Sequence, residues 1–481
     1  MPELRPVGYI IGLLVVVIGV AMLGPMLADL FAGDPNWTAF LASAVLVGLA
    51  GALMSLACAG GAAGLTLRQT FLLATGTWAA LPLFAVVPFV LGAPGLGLTD
   101  ALFETMSAMT TTGTTVLVGL DNLPPGVLLW RSVLQWLGGL GIIIVALIFL
   151  PVMRVGGMQH FRSEGFDTLG KVLPRVADIS KALVQVYIAL TGLCFLTYTI
   201  LGLSGFDALN HAFTTIATGG FSTRDDSFGA FGAGAQYAAI GFMVLAGFPF
   251  IRLVQLAGGS IAPLWQDVQV RAFLRWMLYA IALLLVYRFW REGAISEEVL
   301  RATLFNLISL WSGTGYGTDD PSAWGAFPLV VVVVAGLIGA CTASTGCSLK
   351  VFRYLVLFEA IKTQMRRVHS PNRVVPVRLG GRPLGDDVIN SVMMLFVLFL
   401  FSFGLTAVLL SFTGLEPRTA ITAAWTAICN IGPAFGPEVG PTGAVDQFPV
   451  AAKWVMIAAM LVGRLEVVSV LVLILPRFWR G

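Results

Sequence analysis

The sequence predicts an all-α integral membrane protein in which two extra N-terminal transmembrane helices precede four pseudo-symmetric repeats. Of the 481 residues, 57% are hydrophobic and only 11% are charged, whereas about a quarter of the residues of a soluble protein are charged. Ten apolar segments reach the length of about 20 residues that a spanning helix needs. Four shorter apolar stretches lie between them, and each leads into a glycine.

The ten long segments define the predicted topology. The first is too long for the core of a signal peptide, so we expect it to be retained as a helix. With a cytoplasmic N-terminus, 20 of the 28 lysines and arginines lie on the cytoplasmic side, and this bias predicts that both termini are cytoplasmic. The segments cover about 8–31, 38–61, 70–93, 128–152, 183–203, 236–260, 273–290, 327–349, 389–413 and 451–476.

The four short stretches align with one another as an internal repeat. They read DALFETMSAMTTTG (100–113), DALNHAFTTIATGG (207–220), ATLFNLISLWSGTG (302–315) and TAITAAWTAICNIG (419–432). Each stands between two long segments, so the repeating unit is helix, short pore helix, extended loop, helix. Parallel units of this kind are most economically arranged around one central pore. The expected boundaries are 1–66 for the N-terminal extension and 67–160, 161–268, 269–380 and 381–481 for the repeats.

This arrangement has the chemistry of a cation filter. Irregular backbone at membrane depth is tolerated only where protein buries it or water lines it. Rings of backbone carbonyls replace the hydration shell of an ion, glycine allows the dihedral angles that this requires, and each pore helix directs its negative C-terminal end toward the axis. The predicted filter residues are Thr111, Thr112, Gly113, Thr218, Gly219, Gly220, Thr314, Gly315, Asn430, Ile431 and Gly432.

The acidic residues are biased toward the outer side. An acidic outer mouth would concentrate cations by focusing the field, although ordinary solvated loop charge explains any single residue equally well. Asp100, Asp207 and Glu416 lie near the N-termini of pore helices, where we expect them to act as helix caps rather than to bind the ion directly.

Two features predict a gate below the filter. The segment GLIGACTASTGCSLK (336–350) interrupts an apolar helix with small and polar residues, which is typical of a broken helix lining a cavity. Arg464 lies near the middle of the last apolar segment, and an intramembrane charge is by default a functional hypothesis. Its alternatives are an ion pair with Glu466 or extension to the interface, whereas Lys350 is expected at a cytoplasmic helix end. The candidate gate residues are Arg464, Gly336, Gly339, Ser344, Thr345 and Gly346.

Several longer motifs resemble the Trk/Ktr/HKT superfamily of cation transporters, nearest to its Trk-type potassium uptake membrane subunits (TrkH). They are TTTGTTVL (110–117), LWRSVLQWLGGLGIIIVALIFLP (129–151), TTIATGGFSTRDD (214–226), NIGP (430–433) and GRLE (463–466). The resemblance implies potassium uptake across the bacterial inner membrane by a homodimer, with one potassium site at the filter glycines. It also implies an intramembrane gating loop and a cytosolic ring of nucleotide-binding TrkA-like subunits.

The resemblance also fixes what to expect of the ion and the loop. Some plant relatives carry serine at the first filter position and prefer sodium, so Gly113 favours potassium. The family usually has two glycines before the lysine of the gating loop, whereas this chain has Cys347 and Ser348. That departure bears on how flexible the loop is. The basic segments 154–181 and 350–382 are candidate docking surfaces for the gating ring, or they only determine the topology.

Other classes of function fit the sequence less well. Sodium conduction, or potassium symport coupled to sodium or protons, would use the same fold. A membrane enzyme would need a catalytic cluster, but the three histidines are dispersed, and the five cysteines form no metal-binding or disulfide pattern. No nucleotide-binding fingerprint, cofactor or nucleic-acid partner is expected. The lipid bilayer and the potassium ion, as substrate, are the expected partners besides the protein subunits.

Overall fold

The computed structural model describes residues 4–60, 65–146, 176–370 and 375–480, and most of them are helical. A bent first span and a second span form an N-terminal hairpin of α1 (Arg5–Ala21), α2 (Leu23–Ala32) and α3 (Trp37–Ala57). The backbones of α1 and α3 approach closely because glycines face each other, and a Cβ added to Gly51 would lie 2.6 Å from Val16 N. Small residues at such contacts are the usual solution for helix packing in lipid.

The first repeat follows this hairpin and is attached to it. It comprises α4 (Leu67–Ala85), α5 (Val87–Leu91), the pore helix α6 (Leu98–Met109) and α7 (Pro125–Ile144). The carboxylate of Asp29, at the end of the hairpin's first span, accepts hydrogen bonds from Gly126 N at 2.5 Å and from Asn36 Nδ2 at 2.9 Å. The N-terminal extension is therefore fixed to the start of α7.

The remaining repeats reuse the same order of elements. The second has α8 (Val176–Ile200), the pore helix α9 (Gly205–Ile216), α10 (Ala233–Ala246), α11 (Phe250–Ala257) and α12 (Ala262–Gln266). The third has α13 (Val268–Glu292), the pore helix α14 (Glu297–Ser312), α15 (Ala326–Ile338) and α16 (Val351–His369). A short hairpin of β1 (Arg378–Leu379) and β2 (Arg382–Pro383) precedes the fourth, which has α17 (Asp386–Phe412), the pore helix α18 (Pro417–Cys429), α19 (Val450–Arg464), α20 (Val468–Ile474) and α21 (Pro476–Arg480).

Three of the ten predicted spans are interrupted by a sharp bend or by a loop. Segment 236–260 bends by 103° between α10 and α11, and segment 451–476 bends by 112° between α19 and α20. Segment 327–349 stops as a helix at Ile338, after 13 residues. Within the described residues, seven helices are long and apolar enough to cross a membrane, or nine if each bent pair counts as one span.

Each break has a local backbone cause. Pro249 precedes α11 and has no N–H to continue the ladder of α10. Gly339 takes a φ of +72° directly after α15, and Glu466 takes a φ of +56° between α19 and α20. Residues with such left-handed backbone end a helix because the following carbonyls leave its axis.

The pore helices form the centre of the molecule and the long helices surround them. Ala101 to Met109 in α6 and Ala423 to Cys429 in α18 are buried throughout. The outer helices instead expose large apolar side chains, such as Phe31, Ile200, Trp290 and Phe412. Contiguous apolar exposure on this scale is typical of a surface that contacts lipid, and it agrees with the predicted integral membrane protein.

Candidate functional site

All four pore helices end with the same backbone turn. The twelfth residue of each aligned stretch has left-handed backbone, with φ of 51° at Thr111, 49° at Thr218, 80° at Gly313 and 52° at Asn430. The N–H of the next residue bonds the carbonyl five residues earlier, at 2.8 Å from Thr112 to Ser107, 2.8 Å from Gly219 to Thr214, 2.9 Å from Thr314 to Ser309 and 3.2 Å from Ile431 to Thr426. This is the Schellman type of helix end, which reverses the chain away from the helix axis.

The fourteenth residue is the predicted filter glycine, and it also has positive φ in all four repeats. The values are 89° at Gly113, 76° at Gly220, 85° at Gly315 and 118° at Gly432. A non-glycine residue is strained in this region because Cβ crowds the neighbouring peptide. In each loop φ is positive at the twelfth residue, negative at the thirteenth and positive again at the fourteenth. The four loops therefore share one backbone path.

The four loops close into a ring. A Cβ added to Gly113 would lie under 3.0 Å from the carbonyl oxygen of Gly219, and the same holds for Gly220 and Thr314, and for Gly315 and Ile431. The ring closes where a Cβ on Gly432 would lie 3.0 Å from Thr112 O. Each filter glycine therefore packs against the carbonyl that precedes the filter glycine of the next repeat, in the order one, two, three, four, one.

A cavity of about 840 Å³ opens onto this ring, and all four filter glycines line it. Its wall contains four of the acidic residues expected at the outer mouth, which are Asp225, Asp226, Asp319 and Asp320. Arg131, Arg224 and Arg418 line it as well. The mouth is thus acidic but not uniformly so.

Behind each glycine loop, a polar side chain of the pore helix supports the residues that follow the glycine. In repeat one Glu104 accepts from Val116 N at 3.0 Å, and in repeat three Asn306 Oδ1 accepts from Thr318 N at 3.2 Å. The remaining two supports are His211, whose Nε2 lies 3.0 Å from Ser222 Oγ, and Thr422, whose hydroxyl accepts from Phe435 N at 2.9 Å. The side chains differ, but their role is the same.

A glutamine from outside the pore helices also holds the filter. Gln135 of α7 donates from Nε2 to Gly219 O at 2.6 Å and accepts from Phe221 N at 3.1 Å. A glutamine amide satisfies a donor and an acceptor on one strand at once. The backbone on either side of Gly220 is therefore fixed to the first repeat.

The acids near the pore-helix N-termini do not cap them as predicted. Asp100 lies in the first turn of α6 and pairs with Lys453 of the fourth repeat, with Nζ 2.7 Å from Oδ1. Ser204, not Asp207, accepts the capping hydrogen bond of α9. Glu416 stands at the N-cap of α18, but its side chain makes no cap hydrogen bond. The prediction of side-chain caps is wrong because each acid lies one turn too far along the helix or points elsewhere.

Ion pairs at the cavity rim explain where these acids point. Arg224 contacts Asp207 at 2.9 Å and Asp121 at 3.1 Å, and hydrogen bonds to these two carboxylates raise the pKa of its guanidinium. Burial alone would raise the pKa of Glu438, but hydrogen bonds from the Thr419 hydroxyl and Glu416 N–H lower it overall. Asp207 thus joins the start of the second pore helix to the loop at Arg224, and Glu438 joins its own loop to the start of the fourth pore helix.

The predicted gate segment is a buried loop on the side of the ring where the pore helices end. Gly336 lies in the last turn of α15, where it packs against Trp425, and the loop begins at Gly339. Ser344 donates to Cys341 O at 2.7 Å, and Thr345 donates to Ala246 O at 3.2 Å at the bend after α10. A Cβ on Gly346 would lie 2.5 Å from Ser312 O, so the loop touches the end of the third pore helix.

Arg464 is the last residue of α19, directly before the bend within the predicted last span, and it faces this loop. Its guanidinium donates to Thr345 O at 3.3 Å, to Cys347 Sγ at 2.6 Å and to Gly138 O at 3.3 Å. It is only 2% exposed, so it does not extend to the interface. The helix C-terminus favours a cation here.

The structure excludes the ion pair that was the alternative role for Arg464. Glu466 pairs with Arg353 and not with Arg464. Lys350 lies at a helix end, as the N-cap residue of α16, and its side chain is buried there. Its location on the cytoplasmic side remains a prediction.

Comparison with known proteins gives the family. The family model named TrkH, described as a cation transport protein, matches residues 37–480. The chain belongs to the TrkH family of cation transport proteins. It is 38% identical over 477 residues to the Trk system potassium uptake protein TrkI of Halomonas elongata, covering 99% of this chain and 97% of that protein. It is 34% identical over 483 residues to the Trk system potassium uptake protein TrkH of Escherichia coli K12, covering 99% of both.

The fold agrees with a solved member of the TrkH family. The crystal structure of the potassium transporter TrkH from Vibrio parahaemolyticus superposes with a TM-score of 0.91 at 32% identity, covering 100% of both chains. The predicted resemblance and the all-α membrane fold are confirmed. The TrkH family consists of transporters, so the chain is not an enzyme.

Sequence reasoning missed three residues that this TrkH-family site uses. Glu104 and Arg131 form a buried ion pair behind the filter, with Nε 2.7 Å from Oε1, and Gln135 lies one turn further along α7. A signal was available, because each is a charged or amide residue within an apolar segment. Such residues in a membrane protein are hypotheses of function by default.

Proposed function

We propose that the chain takes up potassium across the bacterial cytoplasmic membrane through one central pore formed by repeats at 67–160, 161–268, 269–380 and 381–481. The observation that carries this proposal is the closed ring in which each filter glycine packs against a carbonyl of the next repeat. Four glycine loops on one acidic cavity give an ion oxygen ligands and a field that attracts cations. The relatives' names, which specify potassium uptake, support the choice of ion.

The filter is proposed to consist of three residues from each loop. They are Thr111, Thr112, Gly113, Thr218, Gly219, Gly220, Thr314, Gly315, Asn430, Ile431 and Gly432, together with Gly313 at the twelfth position of the third repeat. Within the described residues, Thr111 Oγ1 and Asn430 Oδ1 are buried without a hydrogen-bond partner. Buried polar atoms usually have partners, and these two oxygens fit a role as ligands of an ion or of its water.

The gate is proposed to be the loop that begins at Gly339, held closed by Arg464. The contacts of the Arg464 guanidinium with Thr345 and Cys347 support this assignment. A positive charge at the inner side of the filter opposes cation passage electrostatically. Opening would require the loop to leave Arg464 and the end of the third pore helix.

The assembly is proposed to be a homodimer with a cytosolic ring of nucleotide-binding TrkA-like subunits, and both termini are proposed to be cytoplasmic. Exposed basic residues support a docking surface at the end of α16 and on the β-hairpin. They are Arg366 and Arg367 in the last turn of α16, and Arg378 and Arg382 on the hairpin. The second predicted docking segment, 154–181, lies outside the described residues except for 176–181.

The decisive experiment is cation flux in proteoliposomes that contain this chain alone. Potassium or sodium gradients and an imposed voltage would be applied. We expect potassium flux that follows the electrochemical gradient and exceeds sodium flux. The closed-gate assignment is tested in parallel with Arg464→Ala, which keeps the assay informative if the unpartnered chain is shut.

Other outcomes would revise the proposal in different ways. Equal or greater sodium flux would assign the chain to sodium conduction. Potassium flux that requires a sodium or proton gradient would make it a symporter. The absence of flux in both the parent chain and Arg464→Ala would contradict the proposed pore.

A further inference from the structure

We propose that Glu104 and Arg131 set ion selectivity by fixing the distance between the filter loops of the first and second repeats. They are positioning residues rather than ligands of the ion. The inference rests on the proposed potassium filter, and it assigns to that filter a residue pair that controls the discrimination of potassium from sodium. It is carried by the contacts of one guanidinium that reaches both loops.

Glu104 connects the first pore helix to the chain that follows Gly113. It is 0% exposed. Its carboxylate accepts from Thr115 Oγ1 at 2.9 Å and from Val116 N at 3.0 Å, two and three residues beyond the glycine. These contacts of Glu104 lie within the first repeat. In the other repeats the side chains that support the filter loop from the pore helix are His211, Asn306 and Thr422.

Arg131 extends the connection into the second repeat. It is 1% exposed, and it donates to Glu104 at 2.7 Å and to Thr115 Oγ1 at 3.1 Å. Its remaining nitrogen donates to Ser222 O at 3.0 Å, two residues beyond Gly220. The same guanidinium stacks 4.0 Å from the ring centroid of Phe221, the residue directly after Gly220.

The complete burial of this ion pair indicates a role beyond holding one loop. A buried ion pair is costly to desolvate and often contributes little to stability, and the charged pair that holds the second filter loop, Asp207 with Arg224, keeps its guanidinium 41% exposed. What the pair adds is the rigid fork of arginine, which reaches several fixed acceptors at once. The two loops that it joins are therefore held at one separation.

The pair also balances charge beside the path of the ion. Arg131 lines the cavity above the filter, so an unpaired guanidinium there would repel cations at the mouth. Glu104 neutralises it from the buried side. Loss of Glu104 alone should reduce the flux of every cation, whereas loss of both charges should restore flux without restoring the link to Ser222.

The test compares selectivity among variants in the proteoliposome assay. Potassium and sodium initial rates are measured for the parent, Glu104→Gln, Arg131→Lys and the double variant Glu104→Gln with Arg131→Gln. Folding is checked by size-exclusion elution and thermal unfolding. The matched control is Arg288→Gln with Glu292→Gln, because Arg288 pairs with Glu292 and stacks on Trp324 entirely within the third repeat.

We expect the potassium-to-sodium rate ratio to fall at least threefold in the double variant and in Arg131→Lys, while the control keeps the parent ratio. Glu104→Gln should lower both rates. A double variant that folds and keeps the parent ratio within twofold overturns the inference while leaving the filter intact. If the double variant does not fold, Arg131→Lys decides in the same way. A parent that does not prefer potassium contradicts the proposed function and this inference together.

Discussion

Gly113 shows why the filter backbone requires a residue without a side chain. Its φ of 89° places it in the region that favours glycine, and its Cα faces the Gly219 carbonyl of the next repeat. Both constraints act on the same residue, because the backbone that closes the ring also brings the neighbouring carbonyl close. The glycine is needed for space as well as for conformation.

The first prediction is that Gly113→Ser lowers the discrimination of potassium over sodium. The new Cβ would lie under 3.0 Å from Gly219 O, so that carbonyl must shift and the ring must distort on one side. The measurement is the ratio of potassium to sodium initial rates in proteoliposomes. A serine variant with the parent ratio would contradict the assignment of Gly113 to the filter. Gly317→Ser, on the same cavity wall but with open space at its Cβ, is the control.

A second prediction concerns the left-handed residue that ends the third pore helix. Gly313 has a φ of 80°, and Asn430 has the same handedness at the equivalent position. Gly313→Asn should therefore be nearly neutral, whereas Gly313→Val should lose about 1–2 kcal/mol because of the left-handed backbone. Thermal unfolding in detergent measures both. Equal stability of the two variants would contradict the account of this helix end.

Among the elements, the loop between α15 and α16 depends most on its contact with α19. The break after Arg464 brings the guanidinium to the loop, and the bend after α10 holds the loop from the other side. These contacts come from three repeats. The loop is therefore a place where three repeats are in contact.

The third prediction is that Arg464→Ala raises potassium flux in the chain alone. The change removes a buried positive charge and the contact with Cys347 that holds the loop. Initial rates of potassium uptake at equal protein density measure it, with Lys362→Ala, an exposed basic residue of α16, as the control. Flux equal to that of the parent would indicate that Arg464 is a packing residue.

The sequence predicted the helices better than it predicted their breaks. Hydropathy detects apolar length, so it predicts segments 236–260 and 451–476 as single spans, whereas the small and polar residues of 336–350 correctly indicate the break in 327–349. Hydropathy does not register Pro249 or the positive φ of Glu466, which divide the first two segments. The glycine at the fourteenth position of each stretch was predictable because it recurs four times. The supporting residues were harder to predict because they differ in chemical type, although Glu104, His211 and Asn306 share the fifth position of their stretches.

The whole molecule places an acidic mouth on one side of the filter and a buried arginine on the other. Four aspartates line the cavity, and Arg464 lies across the filter from it. The contacts between repeats could not be predicted from the sequence, since they depend on how side chains from distant segments meet. The pairs of Asp100 with Lys453 and of Arg131 with Ser222 O are examples.

The fourth prediction is that Asp226→Asn raises the potassium concentration for half-maximal flux by about twofold at low ionic strength, because field focusing by the mouth weakens. The difference should vanish at high ionic strength, where exposed charges are screened. The assay is potassium uptake at two concentrations of an impermeant salt. Glu298→Gln, an exposed acid that does not line the cavity, is the control. A shift that is independent of ionic strength would contradict the electrostatic origin.

The closure of the ring has a consequence for biosynthesis. The hydroxyl of Thr114 donates to Gly432 O at 2.6 Å across 318 residues of sequence, so the first and last loops meet only after nearly the whole chain has left the ribosome. Until then the first three pore helices lack the fourth. The loop after the third pore helix has no Ile431 carbonyl to pack against, and Thr114 has no Gly432 carbonyl to bind. A chain that ends before its fourth repeat would therefore leave polar backbone of the first and third loops without its neighbour, and such backbone is not tolerated against lipid.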